Sequence, residues 1–259
     1  MLIMDRITAV ADMVVASRRL VVFTGAGHST ESGIADFRSP GGIWSRYNPE
    51  ELTFPKFLAS EAVREKSWQL GTEIWRVIRN AQPNAGHMAI AELYRMGKVD
   101  CVITQNIDNL HQKSGIPEEA VIELHGTVRW VNCLECDRRY TREEIQVRID
   151  NGEKVPRCEI CGGILKTATI SFGQAMPELE IREAERRSAE CDMFLVAGSS
   201  LVVYPAAQMP LIAKGHGAKL VIVNLSSTPH DYYADIIINE KTGETLPRIA
   251  AAVREKLGE

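Results

Sequence analysis

Residues 20–38 read Leu-Val-Val-Phe-Thr-Gly-Ala-Gly-His-Ser-Thr-Glu-Ser-Gly-Ile-Ala-Asp-Phe-Arg. Leu20 to Phe23 is an apolar run rich in β-branched residues, and it stops at Gly25 and Gly27, the pattern of a buried strand entering a tight turn. Two glycines let backbone approach an anion closely, and a following helix aims free N–H groups at it. A dinucleotide fingerprint places a third glycine at position 30, which is Thr30 here, so the usual dehydrogenase pattern is not met. A nucleotide loop and an ordinary strand-to-helix turn both remain open from this stretch alone.

Further strands follow the same logic. Val99 to Thr104, Val121 to Leu124, Met193 to Ala197, Leu220 to Val223 and Ala234 to Ile238 are short apolar runs ending in polar or glycine-bearing turns. Ile7 to Ser17, the stretch after Asn84, Glu178 to Glu190 and Leu246 to Leu257 read as helices between them. This alternation predicts a doubly wound parallel α/β sheet. Pro49 to Arg79 carries large apolar residues without one clean period and reads as several short helices. His87 reads as a packed or capping residue. Ser39 to Trp44 contains Pro40, Gly41 and Gly42 and predicts an irregular loop of the kind that covers ligands.

Open α/β sheets hold ligands outside the carboxyl ends of their strands. There the second strand delivers Gln105, Asn106, Asp108 and Asn109, anchored between Ile107 and Leu110, and the third delivers His125 before Gly126. A solvated loop and a structural histidine are the plain alternatives.

Composition narrows the function classes. A 45% apolar content over 259 residues supports a substantial core, and a net charge of −4 argues against a whole-surface grip on nucleic acid or acidic lipid. No run is long enough to span a bilayer, and charged residues within Met1 to Leu20 suit an amphipathic helix better than a signal peptide. An intracellular, cytoplasmic protein is expected. Four of the six cysteines form two Cys-x-x-Cys pairs, Cys133/Cys136 and Cys158/Cys161, separated by 21 residues. Two such knuckles suit a structural four-thiolate zinc ribbon, which has no open position for a substrate water; a redox dithiol needs only one pair. Arg138, Arg139 and Arg142 between them read as a solvated face rather than a nucleic-acid contact.

Taken together, Gly25–Arg38, Gln105–His111, Leu124–Gly126, the cysteine pairs, Phe172-Gly173, Gly198–Pro205 and Asn224 resemble the sirtuin (Sir2-like) family of NAD-dependent protein deacylases. The resemblance implies a Rossmann-like large domain over 1–38, 81–127 and 172–259. It also implies a cofactor loop and helical insert over 39–80, and a zinc-ribbon small domain over 128–171. Carried over residue by residue, Gly25, Ala26, Gly27, Ser29, Asp36, Phe37, Arg38 and Trp44 would contact NAD. Gln105, Asn106, Ile107 and Asp108 would surround its nicotinamide end. Gly198, Ser199, Ser200, Asn224, Leu225, Ser226 and Thr242 would hold the adenosine side. His125 would be the general base, with Asn106 also catalytic, and Cys133, Cys136, Cys158 and Cys161 would hold Zn2+.

By the same resemblance, an acyl-lysine peptide would lie as an added strand between Phe172-Gly173 and Val202, Val203 and Tyr204. The acyl oxygen would attack the nicotinamide-bearing ribose carbon, and nicotinamide, O-acyl-ADP-ribose and lysine would be released. Ala35, Gln174, Ser199 and His28 depart from the family pattern. Gly71 and Ile74 stand where desuccinylating members carry tyrosine and arginine, which implies a preference for acetyl or other uncharged acyl groups. A mono-ADP-ribosyltransferase is the competing enzyme reading, a nicotinamide dehydrogenase a weaker one, and a zinc-ribbon binding module the non-enzymatic one. No membrane or direct nucleic-acid contact and a monomeric state are expected.

Overall fold

The computed structural model describes residues 3–37 and 39–258. Helix α1 (Ile3–Ala16) buries Ile7, Val10, Ala11 and Val14, the i, i+3, i+4, i+7 stripe of one helix face. It leads into β1 (Leu20–Thr24), buried at every position. After the glycine turn and an irregular loop come α2 (Phe54–Ala59) and α3 (Glu61–Asn80). Asn84 then caps α4 (Ala85–Arg95) by accepting from the Gly86 and His87 N–H groups. Strand β2 (Val99–Thr104), the single-turn α5 (Leu110–Lys113) and β3 (Val121–Glu123) follow.

The chain then leaves this sheet for β4 (Gly126–Cys133), β5 (Arg139–Thr141), α6 (Arg142–Asp150) and β6 (Leu165–Thr169). It returns through α7 (Glu178–Glu190), β7 (Met193–Ala197), α8 (Met209–Gly215), β8 (Lys219–Val223), β9 (Ile236–Ile238) and α9 (Thr242–Leu257).

The larger sheet runs β3-β2-β1-β7-β8-β9 with every pair parallel. Alternate residues of β1 feed opposite cores: Leu20 and Val22 pack with α1, α4 and α9, while Val21 and Phe23 pack with α7 and α8. Burial on both faces explains why the strand reads as an unbroken apolar run. The chain grows outward from β1 through β2 and β3, then resumes on its other side with β7. The order therefore reverses between β1 and β7, the topological switch point where such sheets hold ligands.

The smaller sheet, β5-β4-β6, is antiparallel. Its core of Val131, Tyr140, Ile145 and Leu165 includes Trp68 of α3, so the helical insert and the cysteine-bearing sheet are packed together. None of the described helices is long and apolar enough to cross a membrane.

Three expectations are corrected. The stretch read as short helices contains one helix of 20 residues, α3. Its buried positions are Arg64, Trp68, Leu70, Thr72, Trp75 and Ile78, and polar residues at two of them hide the stripe from a reading of apolar spacing. Helix α9 begins at Thr242, ahead of Leu246, because its first turn is polar in sequence yet tucked against the glycine turn. Arg142 is not on a solvated face. It is 1% exposed, with its guanidinium 5.4 Å from the Trp68 ring and 5.8 Å from the Trp75 ring.

Candidate active site

The loops after β1 and β7 touch at the switch point, and the glycines make that contact. A β-carbon on Gly25 would lie 2.8 Å from Ser199 Cβ, and one on Gly27 would lie 2.9 Å from the Gly198 carbonyl oxygen. Backbone bonds close the seam: Gly25 N–H donates to Ala197 O at 3.2 Å and Gly27 N–H to Gly198 O at 2.9 Å. The glycines thus permit close packing of two strand ends before any ligand is considered.

The loop after β2 is tied to both. Gln105 Nε2 donates to Ser199 Oγ at 2.7 Å, and its backbone N–H donates to Thr24 O at 3.0 Å. Asn106 Nδ2 donates to Gly25 O at 3.1 Å and to Ser29 Oγ at 3.0 Å, so the amide can offer a ligand only its oxygen. Ser29 Oγ donates in turn to Asp108 Oδ2 at 2.7 Å, and Leu110 N–H donates to Asp108 Oδ1 at 2.9 Å. Burial raises the Asp108 carboxyl pKa, against the lowering effect of these two donors. Ile107 turns the other way and packs beside Trp75, Ile78, Val128, Ile34 and Ile74.

His125 leaves the end of β3 and is held by one bond. Its Nδ1 lies 3.0 Å from Gln105 O. A carbonyl only accepts, so Nδ1 carries the proton and Nε2 keeps a bare lone pair. Burial lowers the pKa of this imidazole, partly opposed by that bond, which keeps it neutral near pH 7. Gly126 follows at φ 70°, and a β-carbon there would sit 2.0 Å from Ala168 O. That turn sends the chain from the parallel sheet into β4 directly behind the histidine.

Three aromatic rings meet at the loop after the glycine turn. The Phe37 and Trp44 ring centroids are 5.3 Å apart, and those of Trp44 and Phe172 are 6.1 Å apart. Asp36 accepts from the Ser39 N–H at 2.7 Å and fixes the loop's entry. Ala26 is half-buried in the glycine turn, and Arg38 lies outside the described residues.

At the far side, Ser200 is exposed while Asn224 Nδ2 donates to Ser226 O at 2.6 Å, with Leu225 exposed beside it. Thr242 is only 3% exposed, and its hydroxyl lies 3.0 Å from His28 Nδ1. Phe172, Val202 and Tyr204 are exposed, Val203 is half-buried, and Gly173 sits at φ 76° against Pro55.

Sequence reasoning did not single out Thr24, Thr104 or His111 as contacts within the site. Thr24 Oγ1 donates to Thr104 Oγ1 at 2.8 Å and lies 2.9 Å from His111 Nε2. Threonine closing two neighbouring apolar strands is the signal that was there to find.

The four cysteines converge on one point of the smaller sheet. Their sulfurs all lie within 4.8 Å of one another, with Cys133 and Cys161 at 3.5 Å and Cys136 and Cys158 at 3.7 Å. Four thiols at these spacings fit a tetrahedral zinc ion, whose Zn–S bonds of about 2.3 Å place sulfurs just under about 4 Å apart.

A doubly wound sheet whose switch point gathers amides, hydroxyls, a carboxylate and a neutral imidazole defines a dinucleotide-type enzyme cleft. The chain belongs to the Sir2 family, which residues 25–205 match. It is 49% identical over 235 residues to the NAD-dependent protein deacetylase 1 of Bradyrhizobium diazoefficiens, covering 91% of each chain. It is 43% identical to the NAD-dependent protein deacylase 2 of Archaeoglobus fulgidus, covering 96% of this chain and 97% of that one. Among solved structures, a Sir2 enzyme with a deacetylated p53 peptide and 3'-O-acetyl ADP-ribose superposes with a TM-score of 0.89 at 38% identity. That match covers 98% of this chain and 99% of the other.

Proposed function

We propose that this chain is an NAD-dependent protein-lysine deacylase that releases nicotinamide, O-acyl-ADP-ribose and free lysine. Relatives that it matches along nearly their whole length are named NAD-dependent protein deacetylase or deacylase. The observation that carries the reading is the bond between His125 Nδ1 and Gln105 O, which leaves a neutral imidazole with one bare nitrogen beside the amide and carboxylate cluster.

The donor set fits NAD. It is rich in amides and hydroxyls, which suit two riboses and a carboxamide, and Gly25 and Gly27 bring the β1 and β7 loops into contact. When bound, the dinucleotide would supply a ribose carbon that gives up nicotinamide and takes the acyl oxygen, and one water would be consumed as the acyl–lysine C–N bond breaks. His125 Nε2 accepts a ribose hydroxyl proton. Asn106 presents its oxygen toward positive charge developing on the ribose, held by Gly25 and Ser29. Asp108, itself fixed by Ser29 and Leu110, orients the nicotinamide end, and Phe37 and Trp44 exclude water.

Gly25–Gly27, Asp36, Gly198–Ser200, Asn224–Ser226 and Thr242 form the remaining NAD floor in this reading. The exposed Phe172 and Val202–Tyr204 segments receive the peptide as an added strand. The zinc ribbon is structural and takes no part in the reaction. Ile74 sits in the apolar cluster with Ile34 and Ile107 and brings no cation, which favours acetyl and other uncharged acyl groups over succinyl or malonyl. Six cysteines, none in a disulfide and four of them grouped for zinc, suit an intracellular setting.

A panel of acyl-lysine peptides with and without NAD, monitored for nicotinamide release, tests the assignment. Acetyl and propionyl peptides should release nicotinamide, succinyl peptides far less, and His125→Ala should lose at least about 100-fold in turnover while keeping its circular dichroism spectrum. Labelled NAD accumulating on protein without deacylated peptide would instead favour ADP-ribosyl transfer.

A further inference from the structure

Behind the glycine turn, three histidines that take no part in the proposed chemistry meet in the protein interior. His28 lies in that turn, His87 in the first turn of α4 and His111 in α5, and all three are at most 1% exposed. Their ring centroids are 4.2 Å (28 to 87), 4.9 Å (87 to 111) and 5.5 Å (28 to 111) apart.

Each ring uses one nitrogen outward. His28 Nδ1 meets Thr242 Oγ1 at 3.0 Å, His111 Nε2 meets Thr24 Oγ1 at 2.9 Å, and His87 Nδ1 lies 3.4 Å from Asn84 N. The remaining nitrogens, His28 Nε2, His87 Nε2 and His111 Nδ1, are buried without a partner. One ring nitrogen from each residue lies within 4.8 Å of the others.

We propose that His28, His87 and His111 form a second metal site, separate from the four cysteines, that takes a divalent transition-metal ion of the imidazole-binding class, Zn2+ or Co2+. Buried polar atoms are seldom left unpaired, and three buried imidazoles that each bring a ring nitrogen within 4.8 Å of the others are the donor set such ions select. The Thr242 and Thr24 hydroxyls supply the outer contacts that orient metal-bound imidazoles, by accepting the proton on the far nitrogen. His87 gives up its long contact with Asn84 N–H, since a ring bound through Nε2 carries its proton on Nδ1. The Asn84 side chain continues to cap α4.

Metal–nitrogen bonds of about 2.0–2.1 Å require ring nitrogens about 3.4 Å apart, so the rings close in by side-chain rotation. Three protein ligands leave a fourth position for a small ligand such as water. The ion would tie the β1 loop to α4 and to the segment bearing Asp108.

Metal content decides between this and a buried water held by the same nitrogens. The full chain is expressed in zinc- or cobalt-supplemented medium, and is also refolded with excess ion, so that burial does not block entry. After desalting, wild type should carry two ions per chain. His28→Val and His111→Gln should each carry one, and the ion retained at the cysteines reports that the ribbon has folded. With cobalt, the increment lost in the variants should be d–d absorption without thiolate charge transfer. One ion per chain in wild type after both treatments, or two in both variants, would overturn the proposal.

Discussion

At the scale of single residues, His125 shows how one backbone contact fixes a tautomer. Its carbonyl partner leaves Nε2 as the acceptor, and burial lowers its pKa below the ordinary 6.5. A general base works only when neutral, so activity is full above that lowered pKa and falls as pH drops through it. The acid limb of kcat/KM should therefore lie below pH 6.5. A limb at or above that value, absent in His125→Ala, would show that burial does not govern the base. Arg142 carries a second prediction. Its Nη1 and Nη2 are buried without partners between two indole rings, so removing the charge while keeping the volume loses little. Arg142→Met should stay within about 1.5 kcal/mol of wild type, whereas Arg142→Ala should lose about 2–5 kcal/mol through the cavity it leaves. Urea unfolding of both variants measures the difference.

At the scale of elements, the junction of β3 and β4 is where the parallel sheet, His125 and the smaller sheet meet. Gly126 is needed there twice over, by its φ of 70° and by the Ala168 carbonyl in the place of its side chain. Gly126→Ala should cost about 1–3 kcal/mol for the backbone alone, with more from the clash, and should displace His125. By contrast, Gly71 lies inside α3 with nothing within 4 Å of its missing β-carbon. Gly71→Ala should raise stability by about 0.5–1 kcal/mol, since it removes unfolded-chain freedom from a helical position. Thermal unfolding of the two variants, shifted in opposite directions, tests both claims. The elements legible in sequence were unbroken apolar runs and helices with a clean apolar stripe. Strands β1, β2 and β7 declare themselves because both faces are buried, while α3 does not, because Arg64 and Thr72 occupy its buried stripe.

At the scale of the whole molecule, the ribbon and the helical insert share one core through Trp68, whereas the parallel sheet has its own two cores. Stripping metal from the four cysteines should therefore raise amide exchange over 128–171 and along α3 first, with the parallel sheet still protected. Hydrogen exchange with and without chelator checks this, and uniform loss of protection would mean that the two units unfold as one.

The sequence alone determined the class of the fold, the strand ends that carry polar groups and the four-cysteine cluster, because each depends on local spacing or on residue types at a chain terminus of an element. Tertiary structure alone decided that the strand order reverses between β1 and β7, that Gly25 and Gly27 serve first to let two loops touch, and that His125 is held by Gln105. It alone also brought His28, His87 and His111 together from three separate elements. Contacts between residues distant in sequence leave no period to read; they arise when the parallel sheet folds and lays its strand ends side by side.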